Sequence, residues 1–410
     1  MAESGRVFER VYHDTPRRRL TRAGATLARR VERGRSSWRL EVPRSAGAPL
    51  EVEAAGGPVA PKEICRLLGA FLRGDELEPA LRMRVARNGG TEEVEVLEGL
   101  RHAGALSVTA GEERTAALGL LDRAPKPRDA AEAGARLRSM LRRQYVEILR
   151  HDPAVRLALD PEDLHRMRVA VRRARAILRV VRPAVDTDWS EPLRAELKWL
   201  GGVLGPRRDL DVLIERLREE IAGLDDPERT RAGSLLVPLK RERRGAQAQV
   251  SEALASERYW SLLDELEARA EGLELSSDVS LSRLAGREFR RLRSAMKALT
   301  AESSDEELHR VRILGKRARY AAELAKPERG KRARRFVANT KAFQDLLGSH
   351  QDAIVAEARL REVLRHESGK GVAFATGRLV ERERARRRDA RRALPAAWAT
   401  LERRGLRAWS

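Results

Sequence analysis

The chain has 410 residues, 42% hydrophobic and 35% charged, which is enough for two or three domains and too apolar for wholesale disorder. Lys plus Arg number 83 against 62 Asp plus Glu, and the resulting +21 calls for an anionic partner: nucleic acid, a membrane surface or a phosphate polymer. The only cysteine, Cys65, excludes an internal disulfide, no apolar run reaches membrane-spanning length and the opening MAESGRVFERVYHDTP lacks a signal core, so a soluble, cytoplasmic protein without membrane insertion is expected.

Residues 1–125 carry a net charge of only +3 and the remainder +18, so the basic character belongs to the later chain. Up to about residue 115 the pattern is strand-like. In SSWRLEVP (Ser36–Pro43) Trp38, Leu40 and Val42 alternate with Arg39 and Glu41, and in EEVEVLEG (Glu92–Gly99) Val94 and Val96 alternate with Glu93 and Glu95. One helix is predicted near Pro61–Leu72. DRAPKPRDA (Asp122–Ala130) reads as a linker because its prolines interrupt any regular element.

Beyond the linker nearly everything has helical period, with breaks expected at RHDP, RPAVDTDWSEP, LDDPERT and LSSDVS. An internal repeat stands out. DLHRMRVAVRRARAIL (Asp163–Leu178) returns as ELHRVRILGKRARYAA (Glu307–Ala322), and LGPRRDLDV (Leu204–Val212) returns as LGSHQDAIV (Leu347–Val355). His165 to Gly205 is 40 residues and His309 to Gly348 is 39, so the later chain reads as two related helical halves, about 131–275 and 276–410.

On a helical wheel His165, Arg168, Arg172, Arg175 and Arg179 occupy one stripe about 80° wide, with Met167, Val171, Ala174 and Leu178 opposite. His309, Arg312, Lys316 and Arg319 repeat that stripe. Arg173 and Arg317 lie off it, and Tyr320 lies on it. His165 to Arg179 spans about 21 Å, a length suited to an extended anion, and guanidinium groups fork onto phosphate oxygens. A basic face on a single helix is ordinarily solvated, but His-x-x-Arg-x-x-x-Arg/Lys-x-x-Arg in both halves points to a ligand. Metal binding is not expected, because Val169 and Ile313 occupy the i+4 positions of a helical His pair. Asp209, Asp211 and Asp352 in the downstream motif either aim the basic residues or cap helix ends. Arg207, Arg208 and His350 extend the basic surface in this reading, with a kink or break expected at Gly205-Pro206.

From about 130 to 410 the chain resembles the CHAD family, on LHRMRVAVRRAR, LGPRRDLDV, ERYWSLLDEL, LHRVRILGKRARYAAEL and QDLLGSHQDAIV. The resemblance implies a pair of four-helix bundles that bind inorganic polyphosphate in a basic groove or pore, with polymer contacts from His165, Arg168, Arg172, Arg175, His309, Arg312, Lys316 and Arg319. Arg179 rests on helical geometry alone, since Glu323 stands at its counterpart. The front part is similar to the CYTH family of triphosphate-tunnel barrels in VYHDTPRRRLTRAGATLARR, WRLEVP and EEVEVLEG. Its opening Glu-x-Glu-x-Lys strand is absent, Glu41 stands where that family has lysine, and Arg87 to Glu92 is too short for the strands expected there. Arg29, Glu93 and Glu95 are either tunnel remnants or a structural strand face.

The expected fold is therefore mostly α: two pseudo-symmetric antiparallel helical bundles of CHAD type over 131–410, with a small N-terminal α+β remnant of a triphosphate-tunnel barrel over 1–121 and a linker at 122–130. The expected function is non-enzymatic binding of inorganic polyphosphate, without cofactor or metal, in a protein associated with polyphosphate granules. Nucleic acid is expected only as a weaker polyanion. The rivals are a metal-dependent triphosphate or polyphosphate hydrolase acting through the front part, and a nucleic-acid-binding protein. Affinity should fall with salt by counterion release and rise as the histidines charge.

Overall fold

In the computed structural model the described residues are 6–45, 47–88, 91–98, 105–109, 117–119, 133–275, 280–365 and 369–409. The chain is mostly helical with a small N-terminal antiparallel sheet, and it divides into two compact units. The predicted linker at 122–130 lies outside the described residues.

The first unit joins Met1–Ala130 to Arg142–Val171 and Ser251–Ala268. Its sheet contains β1 (Arg6–Asp14), β2 (Thr26–Glu32), β3 (Arg35–Val42), β4 (Leu50–Ala55), β5 (Glu78–Asn88), β6 (Thr91–Glu98) and β7 (Ala105–Thr109), in the order β4-β3-β2-β1-β5-β6-β7. Among the described residues no pairing joins β4 to β7, so the sheet is open there. Alternation explains its faces. Trp38, Leu40 and Val42 are buried while Arg39 reaches out to Glu51 and Glu53, and Val94 and Val96 are buried while Glu95 is exposed.

The helix predicted near Pro61–Leu72 forms as two short ones, α2 (Lys62–Leu67) and α3 (Gly69–Leu72), with Ile64, Leu68 and Phe71 buried. A one-turn helix, α1 (Arg19–Arg22), is held by Asp14, whose carboxylate accepts from the backbone N–H groups of Thr15, Leu20 and Thr21 and from the Thr21 hydroxyl.

The unit is completed by portions of α4 (Ala133–Arg156), α5 (Pro161–Val181), α8 (Leu236–Ala255) and α9 (Glu257–Gly272). Two buried arginines tie the sheet's connections to α9. Arg19 bonds Glu267 at 3.1 Å and Asp75 at 2.8 Å, and Arg73 bonds Asp264 at 2.9 Å and Glu267 at 2.8 Å. Nearby, Arg44 pairs with Asp163, which also meets the ring of His151 at 2.8 Å. Asp152, 0% exposed, is satisfied by Arg156 and the Tyr259 hydroxyl.

The second unit joins Ala131–Leu141, Arg172–Val250 and Arg269–Ser410. It holds α6 (Thr187–Ala222), α7 (Asp226–Ala232), α10 (Leu281–Lys297), α11 (Asp305–Leu324), α12 (Lys326–Leu364) and α13 (Lys370–Trp409). A Ser304/Glu307 capping box starts α11. One core gathers Leu213, Leu217 and Ile221 with Leu235, Leu360 and Leu379. Another stacks Phe289, Phe336 and Trp409 edge to face, where Gly405 lets α13 approach so closely that a Cβ would fall inside the Phe289 ring. Helices α10, α11, α12 and α13 pack in cyclic order.

The break expected at RHDP does not occur, and the kink or break expected at Gly205-Pro206 does not end its helix. Helix α4 continues through Pro153 and α6 through Pro206. Each proline removes one backbone donor, but buried residues on both sides, Leu149 and Val155 in α4 and Leu204 and Leu213 in α6, hold the helix together.

Candidate anion-binding site

The two repeated helices are α5 and α11. Both bury the face predicted to be apolar: Met167, Val171, Ala174 and Leu178 on one, Val311, Ala318 and Ala322 on the other. Helix α5 contributes to both units, and its His165 and Arg168, half-buried, belong to the first. From Arg172 onward its cationic residues belong to the second unit, together with all of α11.

Within the second unit the repeats meet directly. Arg172 Nε donates to the Tyr320 hydroxyl at 2.8 Å. Beyond that contact lies a crowd of cations: Arg175 and Arg179 of α5, Arg317 of α11, Arg194 of α6 and Arg291 of α10. Burial lowers the affinity of Arg175, Arg179 and Arg317 for their protons. Repulsion deepens the effect, from Arg194 and Arg179 on Arg175, and from Arg317 and Arg194 on Arg179. Glu288 opposes it but is itself bonded to Arg291 at 2.6 Å, and Arg194 pairs with Glu191. Five arginines thus face two carboxylates. The Nε–H groups of Arg194 and Arg317 are sheltered from water and meet no hydrogen-bond acceptor among the described residues.

Further along α11 the charges are balanced differently. Arg312 and Lys316 lie beside Asp352 of α12 and Arg216 and Asp209 of α6. Asp352 retains accessible surface although protein surrounds part of it. Burial raises its carboxyl above the usual range, Arg312 and Arg216 pull it back, and Asp209 pushes it up. Neither aspartate stands at a helix end, so neither is a cap. At the start of α11 His309 Nδ1 lies 2.9 Å from Oε1 of Gln351. Arg319 lies 3.6 Å from Glu323.

Other candidates are placed apart from an anion's reach. Arg207 is 3% exposed and pairs with Asp211, which Arg243 also bonds at 2.7 Å. His350 is 2% exposed, 3.3 Å from Asp305, and burial lowers its basicity. Both turn inward, so neither adds basic surface. Arg173 and Arg208 are half-buried.

Arg194, Arg216, Arg291 and Gln351 join the site without having been singled out by the repeat. A density of arginine in REFRRLR (Arg287–Arg293) was visible, but its partner helix was not. Among the described residues no group of three or more His, Cys, Asp or Glu is placed to hold a metal ion, and no helix is long and apolar enough to cross a membrane.

The chain belongs to the CHAD domain family, whose profile matches residues 139–361. It is 27% identical to uncharacterized proteins MT2285 and Rv2226 of two Mycobacterium tuberculosis strains (CDC 1551 / Oshkosh and ATCC 25618 / H37Rv), over 96% of this chain and 90% of theirs. Among solved structures it is similar to PptA from Streptomyces chartreusis, with TM-score 0.55 and 28% identity over 66% of this chain and 100% of that one. It is also similar to the CHAD domain from the plant Ricinus communis, with TM-score 0.52 and 27% identity over 68% of this chain and 97% of that one.

Proposed function

We propose that this protein binds inorganic polyphosphate along the cationic faces of α5 and α11 and does not hydrolyse it. CHAD domains as a family are linked to polyphosphate. The observation that carries the reading is the crowd of Arg175, Arg179, Arg194, Arg291 and Arg317, in which Arg175, Arg179 and Arg317 are depressed by burial and neighbouring cations and the Nε donors of Arg194 and Arg317 meet no acceptor among the described residues. A polyanion laid across them reverses each repulsion and supplies the missing acceptors. Along α5 the face runs through His165, Arg168 and Arg172, and along α11 it runs through His309, Arg312 and Lys316. Arg319 serves from the far end of α11.

The front sheet is, in this proposal, a worn triphosphate-tunnel domain kept for structure. Supporting this, Asp14 spends both carboxylate oxygens on holding α1, and Arg19 is buried among carboxylates rather than offered to a phosphate.

The test is binding of labelled long-chain polyphosphate at two salt concentrations by the intact protein and by Arg175→Ala/Arg179→Ala/Arg317→Ala, with duplex DNA as competitor. The reading requires tight, steeply salt-dependent binding that the variant loses and DNA does not displace. Equal, weak, DNA-sensitive binding by both proteins rejects it. Phosphate release from polyphosphate in the presence of Mg²⁺ or Mn²⁺ rejects the non-enzymatic part.

A further inference from the structure

Along α13 every arginine from Arg378 to Arg392 has a carboxylate within ion-pair distance: Arg378 meets Glu228, Arg382 and Arg386 meet Glu220, Arg384 meets Glu357, and Arg391 meets Asp305. The pattern ends beyond Pro395. The side chains of Arg404 and Arg407 make no ion pair or hydrogen bond with any described residue, and the same holds for Arg332 and Arg335 near the start of α12. These four line one cleft of about 370 Å³.

The cleft is built on fixed supports. Ala333 and Phe336, interleaved with Arg332 and Arg335, are 0% exposed, and Leu401 and Ala408, flanking Arg404 and Arg407, are also 0% exposed. The Phe336–Trp409 ring contact joins α12 to α13, and Phe289 of α10 packs against both Phe336 and the glycine at 405. Each helix contributes two arginines three residues apart, about 4.5 Å along its axis. Like charges at that spacing repel. Two such pairs facing one space, with no described carboxylate between them, leave a concentrated positive field for an anion to neutralise. The volume lies near the lower end of the range for small-ligand sites, about 300–1,000 Å³, and suits a compact anion better than a polymer. In the cyclic order of the bundle the α12–α13 seam lies opposite the α10–α11 seam that carries Arg291 and Arg317.

The geometry points to a second anion site, between α12 and α13, that takes a compact multivalent phosphate of the size and charge of inorganic tripolyphosphate. Four guanidinium forks match an anion with several adjacent phosphate oxygens on each side. The site lies outside the repeated helices and does not depend on their binding anything.

The probe is inorganic tripolyphosphate, titrated calorimetrically into the full chain. The variants are Arg335→Gln/Arg404→Gln in the cleft and Arg175→Gln/Arg317→Gln on the repeated helices. The proposal expects binding that weakens by about tenfold or more in the cleft variant, each lost guanidinium removing charge-assisted hydrogen bonds, and that persists in the other. A parallel titration with ATP separates a bare oligophosphate from a nucleotide's triphosphate; binding of either at the cleft supports the site. Modification of Arg335 and Arg404 by phenylglyoxal, read by mass spectrometry with and without tripolyphosphate, tests the intact protein without relying on a folded variant. Unchanged binding by the cleft variant, loss only in the repeated-helix variant, or no protection of either arginine overturns the proposal. Failure of long-chain polyphosphate binding alongside intact tripolyphosphate binding would count against the proposed function alone.

Discussion

The Nε–H of Arg172 donates to the Tyr320 hydroxyl at 2.8 Å, so one copy of the repeated motif is hydrogen-bonded to the other. Tyr320 is buried, and its oxygen accepts a charge-assisted bond at the seam between α5 and α11. Tyr320→Phe should destabilise the second unit by about 1.5 kcal/mol, the lower end for a hydrogen bond to a charged group because Arg172 is half-buried and regains water. Urea denaturation with an unchanged m-value checks it.

Asp352 competes with any anion for Arg312 and Lys316. Burial holds its carboxyl above the range of the unfolded chain, so ionisation costs the folded state something as pH rises through those two values. Asp352→Asn should therefore be at least as stable as the intact protein at pH 7. It should also bind polyphosphate about fivefold more tightly, the equivalent of roughly 1 kcal/mol of relieved repulsion. Affinity of the intact protein should rise as pH falls and Asp352 protonates, and the variant should show a shallower rise. Titrations at pH 5, 6 and 7 decide this.

His151 gives the first unit the opposite pH dependence. Burial disfavours its charge, but hydrogen bonds to Asp163 and Glu147 outweigh that and raise its proton affinity. A histidine raised on folding adds stability that is complete below its unfolded value and is lost as pH rises through its folded value. The melting temperature of the first unit should fall between pH 6 and pH 9. His151→Gln should flatten that slope, as followed by calorimetry.

Glu267 neutralises Arg19 and Arg73, whose side chains are 3% and 0% exposed. Glu267→Gln leaves those charges with Asp75 and Asp264 alone, and breaking a buried pair from one side costs about 3–5 kcal/mol. The surviving partners place the expected loss near about 3 kcal/mol. Guanidinium denaturation followed by the buried Trp38 measures it.

Gly405→Ala drives a methyl group into the Phe289 ring, whose neighbours Phe336 and Trp409 allow little retreat. The overpacking should cost about 1–3 kcal/mol, read as a lowered midpoint of thermal unfolding.

Much of this architecture was legible in local patterns. Alternation placed Trp38, Leu40 and Val42 on one strand face, and the 3.6-residue period placed Val171 and Val311 inward. The repeat alone singles out α5 and α11. What local pattern misses is the neighbour across the fold. Arg317 lies off the cationic stripe on a straight wheel, yet it stands near Arg175 and Arg179, with Arg291 of α10 and Arg194 of α6 beside it. Arg207 and His350 share a motif with accessible residues but are buried, since Asp211 and Asp305 draw them in. The prolines at 153 and 206 read as breaks because propensity alone omits the packing that carries a helix through them.

The chain enters the first unit, leaves it, and returns twice, at Arg142–Val171 and Ser251–Ala268. The carboxylates that quiet the sheet-side arginines, Asp264 and Glu267, therefore sit more than 240 residues downstream of Arg19. Such a front region is hard for evolution to discard. Deleting the front region would leave Asp264 and Glu267 without Arg19 and Arg73, so the later helices of this unit depend on it for charge balance. Within the front region, substitution should be tolerated least at Arg19, Arg73 and the aspartate that holds α1.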